Sequence, residues 1–246
     1  MKIMSFNTQH CKNYITGSID FEIMARAIVD CGADVVGLNE MRGEGLHPDY
    51  TAQTERLSEL TGMKYYYFAP ALDIPNRGLY GNAILSKYPI ARVENIQIPD
   101  PDSKKYSKHY ETRCLLKAEL EGGITVLVTH FGLNPDEQEN AVRTVLAHTV
   151  SEKCVLMGDF NVRPSDPVLL PIRERMQDTA SAFEKELFSY PSDAPTHKID
   201  YIFVSRDIEV LGADIPPVVA SDHPPHTAVI DLKESIEIKI DIRSKI

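Results

Sequence analysis

The stretch KCVLMGDFNVRPSD, residues 153–166, places an acid and an amide directly after a run of apolar residues. The apolar run predicts a short strand that is covered on both faces. Gly158 permits close approach of a neighbouring backbone, and Pro164 turns the chain away. Side chains of a strand repeat with a period of two, so Asp159 and Asn161 face the same side. An Asx turn explains such a pair on its own, whereas a pocket requires matching polar residues elsewhere.

The same pattern recurs at the ends of several other apolar runs. KIMSFN and DVVGLNE end in an amide and an acid, GITVLVTH ends in a histidine, and SDH precedes the run PHTAVIDL. Together the end residues are Asn7, Glu40, His130, Asp159, Asn161, Asp200, Asp222 and His223. A turn, a cap or a satisfied core group explains each one singly. The complete set favours one shared site at the edge of a β-core.

Composition and charge narrow the class of protein. The chain has 246 residues, 43% of them hydrophobic, and a formal net charge of −10, which is typical of a globular domain rather than of a dedicated double-stranded DNA binder. No apolar run reaches membrane-spanning length, so membrane insertion is not expected. The opening MKIMSFNTQH lacks the apolar segment of a secretory signal and predicts a cytoplasmic protein. Four widely spaced cysteines predict reduced, mostly buried thiols.

The periodicity of the chain predicts one α/β domain over residues 1–246. Ten strand-length runs are too many for one small sheet and fit two packed sheets. Helical periodicity covers three segments: 20–33, 51–62 and 134–150. Four long stretches are predicted to be irregular: 41–53, 71–81, 97–110 and 186–197. The core ends near residue 232, and the tail 233–246 alternates isoleucine with charge, which is the pattern of a half-buried strand.

Caps define the ends of two of the predicted helices. Asp20 is placed to cap the first helix, and Gly32 is placed near its end. Asn134 precedes Pro135 at the start of the third helix, with Glu137 two residues further on, which is a start similar to a capping box.

The ordered series SFNTQH, VVGLNE, YGNAILS, ETR, VTHFG, GDFN, KIDYIFVS and SDHPP resembles the endonuclease/exonuclease/phosphatase superfamily, the DNase-I-like fold, from about residue 3 to residue 231. The resemblance implies a four-layer α/β/β/α sandwich of the α/β (α+β) class. Two packed, mainly antiparallel β-sheets are then flanked by helices. It also implies metal-dependent cleavage of a phosphate mono- or diester.

The resemblance assigns the acids and amides to a metal and to the attacking water. Glu40 is the expected ligand of Mg²⁺ or Mn²⁺, since a hard carboxylate suits such ions. Asn7 lies near the metal, and Asp222 supports the same region. Asp159 orients or deprotonates the water, and Asn161 offers its amide group to a phosphate oxygen.

The histidines are assigned to the phosphate and the leaving group. His223 contacts the phosphate, and Asp200 holds its ring in one tautomer. His130 lies on the other side of the phosphate as a candidate general acid, with Glu111 orienting it. Five residues are weaker candidates for substrate binding: Asn82, Arg113, Arg77, Lys104 and Lys105. For Arg113 a structural role is slightly favoured, and for the two lysines solvated charge is the simpler interpretation.

The substrate must be recognised by loops, because the fold alone does not choose it. We expect a soluble phosphohydrolase that acts on a small-molecule, sugar, inositol or headgroup-like phosphate ester. A magnesium-dependent endonuclease or exonuclease on DNA or RNA is the second hypothesis. A catalytically inactive binding module is the third. The residues leave open the choice between mono- and diester, the number of metal ions and the oligomeric state.

Overall fold

A computed structural model describes residues 1–232 and contains two six-stranded β-sheets. The predicted tail strand, residues 233–246, lies outside the described residues. The strands are β1 (Lys2–Asn7), β2 (Val35–Gly45), β3 (Tyr65–Ile74), β4 (Gly78–Ser86), β5 (Ile90–Gln97), β6 (Cys114–Leu120), β7 (Thr125–His130), β8 (Cys154–Asp159), β9 (Met176–Asp178), β10 (Asp200–Ser205), β11 (Ile208–Asp214) and β12 (His226–Leu232). The α-helices are α1 (Phe21–Cys31), α2 (Gln53–Thr61), α3 (Pro135–His148) and α4 (Leu170–Arg175).

The two sheets have matching connectivity. Their strand orders are β11-β12-β1-β2-β4-β3 and β5-β6-β7-β8-β10-β9. Each sheet holds one parallel pair at its centre, β1 with β2 and β7 with β8. The other neighbours run antiparallel. The prediction of two mainly antiparallel sheets is confirmed.

Three apolar clusters create the four layers. One cluster lies between the sheets and takes Ile3 and Val35 from the first sheet and Val126 and Met157 from the second. A second packs α1 and α2 on the first sheet, and a third packs α3 and α4 on the second. Successive residues of a central strand point alternately into two of these clusters. Both faces of the strand are therefore buried, which explains its continuous apolar run.

The predicted helices form with their predicted caps. Asp20 accepts a hydrogen bond from the backbone N–H of Ile23 at 3.1 Å, and Gly32 ends α1 in the left-handed conformation. Asn134 and Glu137 form a capping box at the start of α3. Local sequence therefore fixes these helix ends, because the cap groups satisfy backbone donors that the helix leaves free.

Two of the predicted irregular stretches are wrong. Strand β2 continues to Gly45, so part of 41–53 is extended, and β3 and β4 form a hairpin across most of 71–81. Main-chain pairing stabilises these strand ends although few of their side chains are buried. Two strands were missed for a similar reason: β9 has three residues, and β11 carries a register shift between Val210 and Gly212.

The cysteines are reduced and buried, as their wide spacing in the sequence predicted. All four cysteines are free and buried. Across residues 1–232, no helix is both long enough and apolar enough to span a bilayer.

Candidate active site

The topology brings strand ends to one edge of the sandwich. The central parallel pairs place Asn7 beside Asn39 and His130 beside Asp159 in register. Strand β10 runs antiparallel to β8, so its first residue, Asp200, pairs with Asp159 at the same edge. The parallel strands β1, β7 and β8 place their last residues at this edge, and β10, which runs the opposite way, places its first residue there. Segments that are distant in sequence therefore meet at one edge.

Asp159 is buried and held by three hydrogen bonds, two accepted by its carboxylate and one donated by its backbone N–H. Its Oδ2 accepts from Asn7 Nδ2 at 3.1 Å, and its backbone N–H donates to Asn39 Oδ1 at 3.0 Å. Its Oδ1 accepts from the backbone N–H of Asn161 at 2.9 Å. This last bond is the Asx turn, so the turn and the pocket occur together. Burial first, and then the Asp200 carboxylate, raise the pKa of Asp159.

His223 lies between two buried carboxylates. Its Nδ1 is 2.8 Å from Asp200 Oδ2, and its Nε2 is 3.8 Å from Asp159 Oδ2. The short contact makes Nδ1 the donor to Asp200. Burial alone would lower the pKa of His223, but the Asp200 and Asp159 carboxylates outweigh it and raise the pKa to about 10. The ring is therefore a cation at neutral pH when no metal is bound.

Glu40 lies within β2, at the register shift between Leu38 and Met41, in a strained conformation with φ at +62°. Its Oε1 accepts a hydrogen bond from Asn7 Nδ2 at 3.1 Å, and its Oε2 lies 3.7 Å from His10 Nδ1. Burial would raise the pKa of Glu40, but contacts led by His10 lower it to about 2. A positive φ at a glutamate costs energy, and such strain is concentrated at functional sites.

His130 is buried against a cation. Arg113 Nη1 is 3.1 Å from His130 Nδ1, and Arg113 also forms an ion pair with Glu111. Burial first, and then Arg113, hold the pKa of His130 well below its usual value. Glu111 therefore reaches the ring through Arg113. Donors face both ring nitrogens, since Asn161 Nδ2 lies 3.2 Å from Nε2, and Nε2 is also 3.6 Å from Asp159 Oδ2.

A cavity of about 460 Å³ opens above these groups. The predicted residues that line it are Glu40, Glu111, Arg113, His130, Asp159, Asn161, Asp222 and His223. Asn7 and Asp200 lie behind this wall and contact it through the hydrogen bonds described above. Asn161 donates its amide to the carbonyl of Phe131 at 3.0 Å. Burial raises the pKa of Asp222, although the nearby His223 opposes this.

Four of the weak substrate-binding candidates do not line the cavity. Asn82 is buried between Asn39, from which it accepts a hydrogen bond, and the carbonyl of Cys114, to which it donates. It joins the sheets behind the site, which is a structural role. Arg77 lies in the hairpin turn between β3 and β4, and Lys104 and Lys105 are exposed in the loop after β5.

Several residues that form the site were not predicted, or were given little weight, from the sequence. Asn39 bonds to Asn82, Thr129 and Asp159 and so ties the two sheets together; its signal was an amide inside an apolar run. Tyr80 and Tyr190 line the cavity, and the Tyr190 ring lies 5.0 Å from the ring of His223. No local pattern marked Tyr190, because only the tertiary fold brings its loop to His223.

The donor set at the site fits a divalent cation. Asp159, Asp200 and His223 each offer one ligand atom, and these atoms lie within 4.8 Å of one another. Glu40 Oε1 and Asp159 Oδ2 both lie 3.1 Å from the same amide nitrogen of Asn7. Carboxylate oxygens with one imidazole suit several divalent ions. Binding of a divalent cation also favours release of a proton that this cluster retains because of its raised pKa values.

A family model described as Endonuclease/Exonuclease/phosphatase family matches residues 4–223. The chain belongs to this family. The protein YbhP of Escherichia coli (strain K12) is 26% identical over 226 residues, covering 84% of this chain and 86% of its own.

Solved structures share the family fold. A Beutenbergia cavernae endonuclease/exonuclease/phosphatase superposes with a TM-score of 0.74 at 22% identity, covering 94% of this chain and 71% of its own. A mannosyl-6-phosphatase from Bacteroides thetaiotaomicron superposes with a TM-score of 0.71 at 14% identity, covering 94% of this chain and 99% of its own. The predicted membership of the endonuclease/exonuclease/phosphatase family and its α/β sandwich are thus confirmed.

Proposed function

We propose that this chain is a metal-dependent phosphohydrolase that cleaves a small phosphate ester by in-line attack of an activated water. The observation that carries the proposal is the buried Asp200–His223 pair, bonded at 2.8 Å, facing Asp159 across a polar cavity. This pair supplies a fixed cation beside a carboxylate, the two groups that phosphoryl transfer to water requires.

Asp159 is the proposed partner of the attacking water. Its carboxylate is buried and its orientation is fixed by Asn7 and by the Asx turn. Its raised pKa makes it a stronger base than an exposed aspartate once it is ionised. Asn161 is the proposed donor to a phosphate oxygen and lies at the wall of the same cavity.

His223 and His130 are the proposed contacts to the phosphate on its two sides. His223 is a cation held by Asp200, so it stabilises developing negative charge or supplies a proton. The lowered pKa of His130 disfavours a general-acid role, so we assign the ring a positioning contact at the phosphate. Glu111 and Arg113 position the ring from behind.

Glu40, Asp222 and Asn7 are the proposed surroundings of Mg²⁺ or Mn²⁺, beside the carboxylate of Asp159. A bound divalent ion there would neutralise charge on the phosphate oxygens. The backbone strain at Glu40 directs its carboxylate towards Asn7 and the cavity.

A small substrate fits the size of the cavity and the charge of the molecule. The volume of about 460 Å³ is within the range of pockets for small ligands. The net charge of −10 is unfavourable for a polyanion such as DNA. One solved relative is described as a mannosyl-6-phosphatase, which makes phosphorylated sugars suitable first substrates to assay. We place this activity in the cytoplasm, where the four free cysteines would stay reduced.

The first test is the loss of turnover in Glu40→Gln and His223→Ala. We expect each to lower kcat for p-nitrophenyl phosphate or bis-p-nitrophenyl phosphate with Mn²⁺ by roughly a hundredfold or more, because a charge-stabilising group is lost. Circular dichroism should show an intact fold. Full metal-dependent turnover in His223→Ala would exclude the mechanism.

Metal removal and a substrate panel complete the test. EDTA should abolish turnover, and Mg²⁺ or Mn²⁺ should restore it. Activity that survives EDTA unchanged would contradict the metal assignment. Strong nicking of plasmid DNA at physiological salt would favour the nuclease hypothesis, and inactivity on every ester would favour a binding module.

A further inference from the structure

A second cavity of about 520 Å³ adjoins the candidate active site. Its basic lining residues are Arg163, Lys185, His197 and Lys198, and its one acidic lining residue is Glu186. The protein as a whole carries a net charge of −10. The excess of basic side chains around this cavity contrasts with the negative charge of the whole protein. The local electrostatic potential therefore favours binding of an anion.

The chain links this cavity directly to the proposed catalytic groups. Arg163 follows Asn161 by two residues, and Lys198 precedes Asp200 by two. Ile199, between the latter two, lines the catalytic cavity. A third cavity is lined by both Asn161 and Arg163 and so spans the gap between the sites. This third cavity shares Leu133 and Asn161 with the catalytic cavity and Arg163 and Ser165 with the basic cavity, so it lies between the two.

Arg163 is exposed at the rim of the cavity, where its guanidinium contacts His197 Nε2, and His197 Nδ1 lies 2.6 Å from Thr196 Oγ1. Lys198 is buried and already partnered: its Nζ donates to the carbonyl of Asp200 at 3.2 Å and lies 3.9 Å from Asp178 Oδ2. Arg163 is therefore the cation most accessible to a ligand, and the planar fork of an arginine matches two phosphate oxygens.

Part of the wall of the basic cavity is apolar and includes Phe183, Leu187 and Phe188. Such a wall packs against a carbon skeleton rather than against a free inorganic ion. The cavity can thus bind both an anionic group and the carbon skeleton to which that group is attached.

We propose that the cavity around Arg163 binds a second phosphate group of the substrate, so that the preferred esters carry two phosphates. This inference rests on the proposed phosphohydrolase function for the first phosphate. Sugar bisphosphates and nucleotide bisphosphates share the required chemistry, and matched probes separate these two sources.

The kinetic test compares matched probes that differ by one phosphate. We expect a higher kcat/KM for glucose 1,6-bisphosphate than for glucose 6-phosphate, or for thymidine 3′,5′-bisphosphate than for thymidine 5′-phosphate. Arg163→Ala should reduce that ratio by roughly tenfold, through KM, since it removes a charge-assisted contact. Lys185→Ala should act in the same direction. The control Arg92→Ala removes an exposed arginine of β5 that pairs with Glu94 and should leave the ratio unchanged.

A binding measurement separates this inference from the proposed function. Calorimetry with EDTA-treated protein reports binding of glucose 1,6-bisphosphate and thymidine 3′,5′-bisphosphate without turnover, and Arg163→Ala should weaken it by a similar factor. Binding that depends on Arg163 without any hydrolysis would reject the phosphohydrolase and retain the anion site. Equal kcat/KM values for both members of each pair, or an equal loss in Arg163→Ala, would overturn the second-phosphate site.

Discussion

At the scale of single residues, three buried titratable groups lie side by side in the site. His223 lies 2.8 Å from Asp200 and 3.8 Å from Asp159, so one imidazole faces two carboxylates. In water these acids would ionise separately. Burial couples them, because each charge is stable only while an opposite charge is near.

This coupling predicts a pH-dependent contribution of His223 to stability. The raised folded pKa, about 10 against 6.5 unfolded, means that stabilisation is complete below pH 6.5 and is lost as pH rises through 10. We expect the difference in unfolding free energy between the natural protein and His223→Gln to fall by roughly 5 kcal/mol across this window. Urea titrations in EDTA measure it, and subtracting the variant cancels other titrating groups. A constant difference would show that His223 is neutral in the folded state.

At the scale of elements, the close approach of β7 and β8 depends on a glycine. Gly158 has φ of +149°, and a Cβ there would lie 1.8 Å from the carbonyl oxygen of Thr129. The parallel pair aligns His130 with Asp159 at the end of these strands. Any shift between β7 and β8 would therefore separate two residues of the site.

Gly158→Ala is expected to destabilise the protein by roughly 3 kcal/mol or more, because the added methyl group must displace backbone. Gly212→Ala is the matched control: it also lies in a strand, and a Cβ there would meet nothing within 4 Å. Thermal unfolding of both variants measures the difference. Equal melting temperatures for the two variants would contradict the packing argument.

At the scale of the whole molecule, one buried cluster joins the two sheets. It includes residues of β1 and β2 on one side and of β7 and β8 on the other. Gly37 shows how closely the sheets pack, since a Cβ at this position would lie 2.7 Å from Met157 Sδ. Neither sheet can keep its inner face covered without the other.

The predicted single domain should therefore unfold in one cooperative transition. Differential scanning calorimetry should give a calorimetric to van't Hoff enthalpy ratio of about 1, as two-state domains do. Two separate transitions would show that the sheets fold independently, and the single-domain prediction would be wrong.

The sequence by itself predicted ten of the twelve described strands and proposed the set of candidate site residues. Apolar runs predicted ten of the strands, and the caps Asp20 and Asn134 predicted helix starts, because those signals are local. The polar residues at strand ends were recognisable because an acid after a buried run is costly unless it has partners.

Only the tertiary structure decided which groups contact one another. The pairing of Glu111 with Arg113 rather than with His130, the position of Asn82 behind the site, and the approach of Tyr190 to His223 depend on distant segments. The strands β9 and β11 are likewise stabilised by pairing with β10 and β12 rather than by their own composition. The joining of the basic cavity to the catalytic one follows the same rule, since sequence patterns record neighbours along the chain and not neighbours in space.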